Sequence, residues 1–130
     1  MSRTILIVED DPDLQPLLEF TFETEGYEVL TFDEGGTAWE YLESEALPDC
    51  IVLDLLMPGV DGMEFLARRE NSDRVRDVPV VVLTAWESEE VVTKVFDLDA
   101  DDYITKPFSP TELLARVNRI LKRHTVADQV

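Results

Sequence analysis

With 130 residues, 45% of them hydrophobic, the chain suits one compact domain able to bury a core of its own, and a second domain does not fit. Its 29 acidic and 11 basic residues give a net charge of −18, which repels nucleic acid and anionic membrane over most of the surface and argues against direct DNA binding. Cys50, alone inside an apolar run, and His124, alone near the C-terminus, leave no disulfide framework and no thiolate or imidazole metal site.

Strand-like runs at about residues 4–9, 28–32, 50–54, 79–84 and 102–106 alternate with segments of helical periodicity. After the first run, Asp11-Pro12 opens a helix that carries Leu14, Leu17, Leu18 and Phe22 on one face and stops at Gly26. The second helix spans about 36–45 with Ala38, Trp39 and Leu42 inward, and the third follows Asp61-Gly62 with Met63, Phe65 and Leu66. The fourth, about 88–97, carries Val91, Val92, Val95 and Phe96, with Leu98 nearby, more apolar surface than one face of a small sheet needs. The fifth begins at Ser109-Pro110-Thr111-Glu112 and presents Leu113, Leu114, Val117, Ile120 and Leu121, with Arg116, Arg119, Lys122 and Arg123 toward its dipole-negative end. Residues 1–123 read as one domain. The tail 124–130 loses its periodicity and is expected to fray, or to be the start of a linker.

Strands joined by helices of this length need right-handed crossovers, so the fold class is α/β: a single doubly wound, five-stranded parallel sheet with five helices. There is no apolar run of roughly 18 residues and no signal-peptide pattern, so a soluble, cytoplasmic protein without a membrane partner is expected. Only Lys94, Lys106 and Lys122 are lysines, a balance that suits a high-salt cytoplasm and an ordinary acidic bacterial domain equally.

Four of the five runs end on a residue capable of chemistry: Glu9-Asp10, Asp54, Thr84 and Lys106. In a parallel sheet these carboxyl ends share one edge. Three carboxylates brought together raise one another's pKa or recruit a cation, and a ligand set of oxygens alone favours Mg²⁺ over zinc. Lys106 adds a point charge suited to a phosphoryl oxygen and Thr84 a hydroxyl, which completes the parts needed for phosphoryl transfer. No Gly-rich phosphate loop accompanies them, so nucleotide binding is not supported. Thr84, Tyr103 and Lys106 taken singly would each be read as a turn hydroxyl, an edge aromatic and a solvated cation. Asp54 is different, because a carboxylate between Ile51-Val52-Leu53 and Leu55-Leu56-Met57 is buried at a cost unless it binds something.

From Ile5-Leu6-Ile7-Val8-Glu9-Asp10-Asp11, through Asp54-Leu55-Leu56-Met57-Pro58-Gly59 and Leu83-Thr84-Ala85, to Asp101-Asp102-Tyr103-Ile104-Thr105-Lys106-Pro107-Phe108, the sequence resembles the receiver domain of two-component response regulators over about residues 3–123. The resemblance implies a flavodoxin-like sheet in the order 2-1-3-4-5 and a phosphoryl group taken from a histidine kinase or phosphotransfer protein. It implies that Asp54 is the phosphoacceptor, and that Glu9, Asp10, Asp54 and the backbone carbonyl of Leu56 hold Mg²⁺, with Mn²⁺ as the alternative. It further implies that Thr84, Ala85 and Lys106 bind the phosphoryl group, that Thr84 and Tyr103 form a coupled switch, and that the Lys106-Pro107 bond is cis. Asp11 reads as a helix N-cap.

The chain departs from the family pattern at Asp99, where glycine is usual and aspartate tolerates a left-handed backbone. Leu56 and Trp86 are large and apolar at positions that flank the phosphoryl group, and they are expected to lengthen its lifetime. Asp101, Asp102, Glu112, Arg116 and Arg119 resemble part of the salt-bridge set with which receivers pair through the fourth helix, fifth strand and fifth helix. With Val91 and Val92 on the fourth helix and only Lys94 nearby, that set is incomplete, and a phosphorylation-dependent homodimer or output partner on a more apolar face is expected. A haloacid dehalogenase-like phosphohydrolase fits less well, since Asp11-Pro12-Asp13 begins after the acid pair. A degenerate, phosphorylation-independent interaction module is opposed by the intact set Asp10, Asp54, Thr84 and Lys106. Such a domain is a signalling phosphoacceptor and an enzyme only toward its own phosphorylation and dephosphorylation.

Overall fold

The computed structural model describes residues 3–55, 61–85 and 88–128, with the side chains of 124–128 left aside. Among these residues, five strands alternate with five helices: β1 (Thr4–Val8), α1 (Leu14–Thr24), β2 (Glu28–Phe32), α2 (Gly35–Ser44), β3 (Cys50–Asp54), α3 (Gly62–Glu70), β4 (Val80–Thr84), α4 (Glu89–Asp97), β5 (Asp102–Thr105) and α5 (Pro110–Asp128). All strand pairs are parallel and the sheet order is β2-β1-β3-β4-β5, the order that the resemblance implied.

The strands read as continuous apolar runs because both faces of the sheet are covered. Leu6, Val8, Ile51, Leu53, Val80 and Val82 join one core cluster with Ala38, Trp39 and Leu42 of α2, Phe65 and Leu66 of α3, and Val95 of α4. Their neighbours along the same strands, Ile5, Ile7, Cys50, Val52, Val81 and Leu83, join the other with Leu18 and Phe22 of α1 and Leu113, Val117, Ile120 and Leu121 of α5. Alternate side chains of one strand thus feed two cores, which fixes the register of every strand. Complete burial pushes the Cys50 thiol far up, consistent with a structural cysteine.

Helix ends follow their caps. Asp61 and Ser88 accept from the backbone N–H of Glu64 and Val91 at the starts of α3 and α4. α1 starts later than the Asp11-Pro12 signal suggests: Asp11 Oδ1 accepts from the N–H groups of Asp13 (2.8 Å) and Leu14 (3.2 Å), so it caps the helix from outside while residues 12 and 13 form a turn. Asp99 adopts φ +68° directly after α4, the left-handed conformation expected of it. α4 buries only Val95 fully; Val91, Val92 and Leu98 are half-buried and Phe96 is 46% exposed, which leaves the surplus apolar surface expected there. The tail departs from expectation, because α5 continues to Asp128 instead of ending near Arg123. Residues 124–128 contain neither glycine nor proline, so nothing local stops the helix once its first turns are docked.

Candidate functional site

Parallel pairing brings the carboxyl ends of β1, β3, β4 and β5 to one edge. Asp54 pairs with Leu83, and Thr84, one residue on, pairs with Thr105. Asp54 and Thr84 therefore end adjacent central strands as buried polar side chains, while Glu9 follows β1 and Lys106 follows β5. Glu9, Asp10 and Asp54 each offer a carboxylate oxygen, and these atoms lie within 4.8 Å of one another. The Lys106 ammonium spans two of them, donating to Glu9 Oε1 at 2.7 Å and Asp54 Oδ2 at 3.3 Å.

This crowding shifts the acid–base equilibria of Glu9 and Lys106. Burial, followed by the hydrogen bond and charge of Asp54, pushes Glu9 up to about 7 against the opposing pull of Lys106 and of the Asp11 N–H. Burial pulls Lys106 down, but its bond to Glu9 and the charges of Glu9 and Asp54 outweigh that and leave its pKa raised. Glu9 is fully buried and Asp10 exposed, so the cluster has a closed inner wall and an open mouth.

The edge is braced from behind. Leu55 donates to Leu83 O, Lys106 donates through its main chain to Thr84 O, and Gly62 donates to Leu55 O. A Cβ on Gly62 would stand 2.4 Å from Leu55 Cα and 2.7 Å from the Asp54 carbonyl oxygen, so only glycine lets the first turn of α3 close on the end of β3. The Lys106-Pro107 bond is cis. Ala85 is exposed immediately after Thr84, and Tyr103 is half-buried against the core cluster that includes α4. Leu56 and Trp86 lie outside the described residues. Beside Lys106, a groove of about 540 Å³ runs between Leu14, Leu17, Ala85 and Phe108.

Sequence reasoning singled out the residues at the strand ends but not those that hold them. Gly62 carried a signal, since glycine just inside a well-capped helix start is unfavourable without a steric reason. Gln15, whose side chain donates to Glu9 O at 2.9 Å, carried none. At the opposite surface, Asp102 accepts from Arg116 at 3.0 Å and lies 3.5 Å from Arg119, and Arg116 also donates to Glu112 at 2.9 Å. Asp101 is engaged elsewhere, accepting from the Val80 N–H at 2.9 Å and lying 3.6 Å from Arg69.

Residues 5–118 match the family model described as the response regulator receiver domain. The chain belongs to the response regulator receiver domain family. It is 39% identical over 123 residues to the phosphate regulon transcriptional regulatory protein PhoB of Escherichia coli strain K12, a match covering 95% of this chain and 53% of PhoB. The chain thus spans about half the length of the curated relatives it matches. Among solved structures, the receiver domain of a signal transduction histidine kinase from Syntrophus aciditrophicus superposes with a TM-score of 0.85 at 33% identity, covering 93% of this chain and 91% of that one. The phosphorylated cyanobacterial phytochrome response regulator RcpA superposes with a TM-score of 0.81 at 32% identity, covering 92% and 91%. The phosphoacceptor role of two-component receivers, which bind Mg²⁺ through acidic residues, is therefore this domain's role. Among the described residues, no helix is long and apolar enough to cross a membrane.

Proposed function

We propose that Asp54 accepts a phosphoryl group from a histidine kinase or phosphotransfer protein with the help of Mg²⁺, Mn²⁺ being the alternative ion. The observation that carries this reading is the convergence of Glu9, Asp10 and Asp54 within 4.8 Å, two of them bridged by Lys106. The donor set fits a hard dication: it is all oxygen, and a dication would relieve the crowding that raises Glu9. Glu9, Asp10, Asp54 and the Leu56 carbonyl would hold the ion, which would supply neutralisation of phosphoryl negative charge.

The chain's own groups do the rest. An oxygen of the Asp54 carboxylate attacks phosphorus, the bond from phosphorus to the donor's imidazole nitrogen breaks, and its electron pair returns to that nitrogen. Lys106 already donates to Asp54 at 3.3 Å, which sets it beside a phosphoryl oxygen carried there. The Thr84 hydroxyl and the Ala85 N–H supply further donors. Drawing Thr84 toward the phosphoryl group lets Tyr103 repack, and the exposed apolar face of α4 with β5 and α5 then changes its partner binding, through Asp102, Glu112, Arg116 and Arg119 where charges take part. The domain promotes only its own phosphorylation and dephosphorylation.

Intact-mass spectrometry after incubation with acetyl phosphate tests the reading. A single Mg²⁺-dependent phosphoryl adduct on the wild type, absent from Asp54→Asn, is expected. An adduct that persists in Asp54→Asn would overturn the assignment of the acceptor, and no adduct from either acetyl phosphate or a phosphorylated phosphotransfer protein would make the domain an interaction module.

A further inference from the structure

We propose that Gln15 is a positioning residue for the acid pair: its side-chain amide holds the peptide between Glu9 and Asp10 and thereby sets divalent-cation affinity without touching the cation. The inference rests on reading the carboxylate cluster as a divalent site.

β1 stops pairing at Val8, and the Glu9 N–H still reaches Phe32 O at 3.0 Å. The Glu9 carbonyl, one step beyond the ladder, is taken by Gln15 Nε2 at 2.9 Å. That carbonyl belongs to the same rigid peptide plane as the Asp10 N–H, so fixing it fixes where Asp10 leaves the backbone. The rest of the loop closes on Gln15 as well. Its main-chain N–H donates to Asp11 O at 3.0 Å, while the Asp11 N–H donates to Glu9 Oε2 at 3.2 Å. The segment from Glu9 to Gln15 is thus clamped at both ends, with Asp10, an exposed residue, between them.

The chemistry favours an amide here. A neutral N–H donor satisfies a carbonyl at the edge of a carboxylate cluster without adding charge to it, whereas a glutamate would set an acceptor against an acceptor. Groups that orient metal ligands from behind commonly change affinity by about 10–100-fold when removed. Acting through the backbone on one of three carboxylates, Gln15 belongs at the lower end of that range.

Isothermal titration of the full chain with MgCl₂ alone tests this on the wild type and on Gln15→Met, which keeps an unbranched, helix-favouring side chain and deletes the donor. Thr21→Val is the control, because Thr21 Oγ1 also donates to a backbone carbonyl of α1, that of Leu17 at 2.8 Å, far from the loop. We expect Mg²⁺ binding about tenfold weaker in Gln15→Met and unchanged in Thr21→Val, with metal-free thermal midpoints of the two variants within a few degrees of each other. Wild-type affinity in Gln15→Met overturns the proposal, as does equal weakening in both variants, which would trace the effect to helix stability. Absence of Mg²⁺ binding in the wild type overturns the divalent-site reading itself and this inference with it. Should Gln15→Met lose its cooperative melt, Gln15→Leu carries the same comparison.

Discussion

The sheet has a buried cation at one end and a half-buried one at the other, and the two are held in opposite ways. At the amino ends of β4 and β5, Arg69 is 3% exposed; it donates to the carbonyls of Val78 (2.9 Å) and Asp99 (3.2 Å), reaches that of Leu98 at 3.5 Å, and faces one carboxylate, Asp101, at 3.6 Å. At the carboxyl ends, the Lys106 side chain is 24% exposed and is held by carboxylates, with a third beside it. A guanidinium fork held by neutral carbonyls is fixed in direction and brings no acidic cluster with it. A point-charge ammonium among three acids leaves negative charge uncompensated. One end of the sheet is a fastening, and the other gathers three carboxylates around an ammonium.

Arg69→Met should separate the two ends of the sheet most clearly. Removing this buried guanidinium takes the donor from the carbonyls of Val78 and Asp99 and the ion partner from Asp101, and should destabilise the fold by about 1–3 kcal/mol for each buried acceptor left unmatched, read by urea denaturation. If the two ends are independent, Mg²⁺ affinity of the surviving folded protein stays within about twofold of wild type; a larger change would show that they are coupled. Gly62→Ala should act on both. Forcing a Cβ against the Leu55 backbone should cost about 1–3 kcal/mol and slow acetyl phosphate labelling of Asp54, whereas full labelling speed would show that α3 yields without moving β3.

A pH titration sharpens the contrast. Glu9 has a folded pKa of about 7 against an ordinary value of 4.5, so the folded protein binds more protons in that window. The metal-free domain should therefore lose stability from this group as pH rises from 4.5 to 7, and thermal midpoints across that range measure it. Added Mg²⁺ should offset the loss. The raised pKa of Lys106 works on a different window: its contribution is complete below 10.5 and disappears as pH climbs through the raised folded value. The smallest effect is expected at the surface pair of Arg68 with Glu64, side chains 41% and 51% exposed, where Arg68→Ala should change stability by less than about 0.5 kcal/mol.

Much of this was legible in the sequence for a physical reason. A strand buried on both faces can tolerate a polar side chain only where the sheet ends, so Glu9, Asp54, Thr84 and Lys106 were marked by their position after apolar runs. The helices were marked by periodicity, with start signals at Asp11-Pro12 and at Ser109-Pro110-Thr111-Glu112, and Asp99 by its place after α4. The fastening contacts were not legible. Arg69 sits among the charges of an otherwise amphipathic helix, and nothing local tells it apart from its neighbour Arg68, which stays outside. Gln15 and Asp101 depend likewise on partners brought close only by the fold. The continuation of α5 was missed because loss of an apolar stripe removes a reason to pack, not a reason to stay helical.

Two of the carbonyls that Arg69 reaches are those of Leu98 and Asp99, where α4 ends. α4 is thereby tethered at its far end, while its near end, capped by Ser88, follows shortly after Thr84 and Ala85. A helix fastened in this way is held by its C-terminal turn to the amino end of the sheet, and the half-buried Val91 and Val92 sit in its first turns, far from that tether and toward the end of β4.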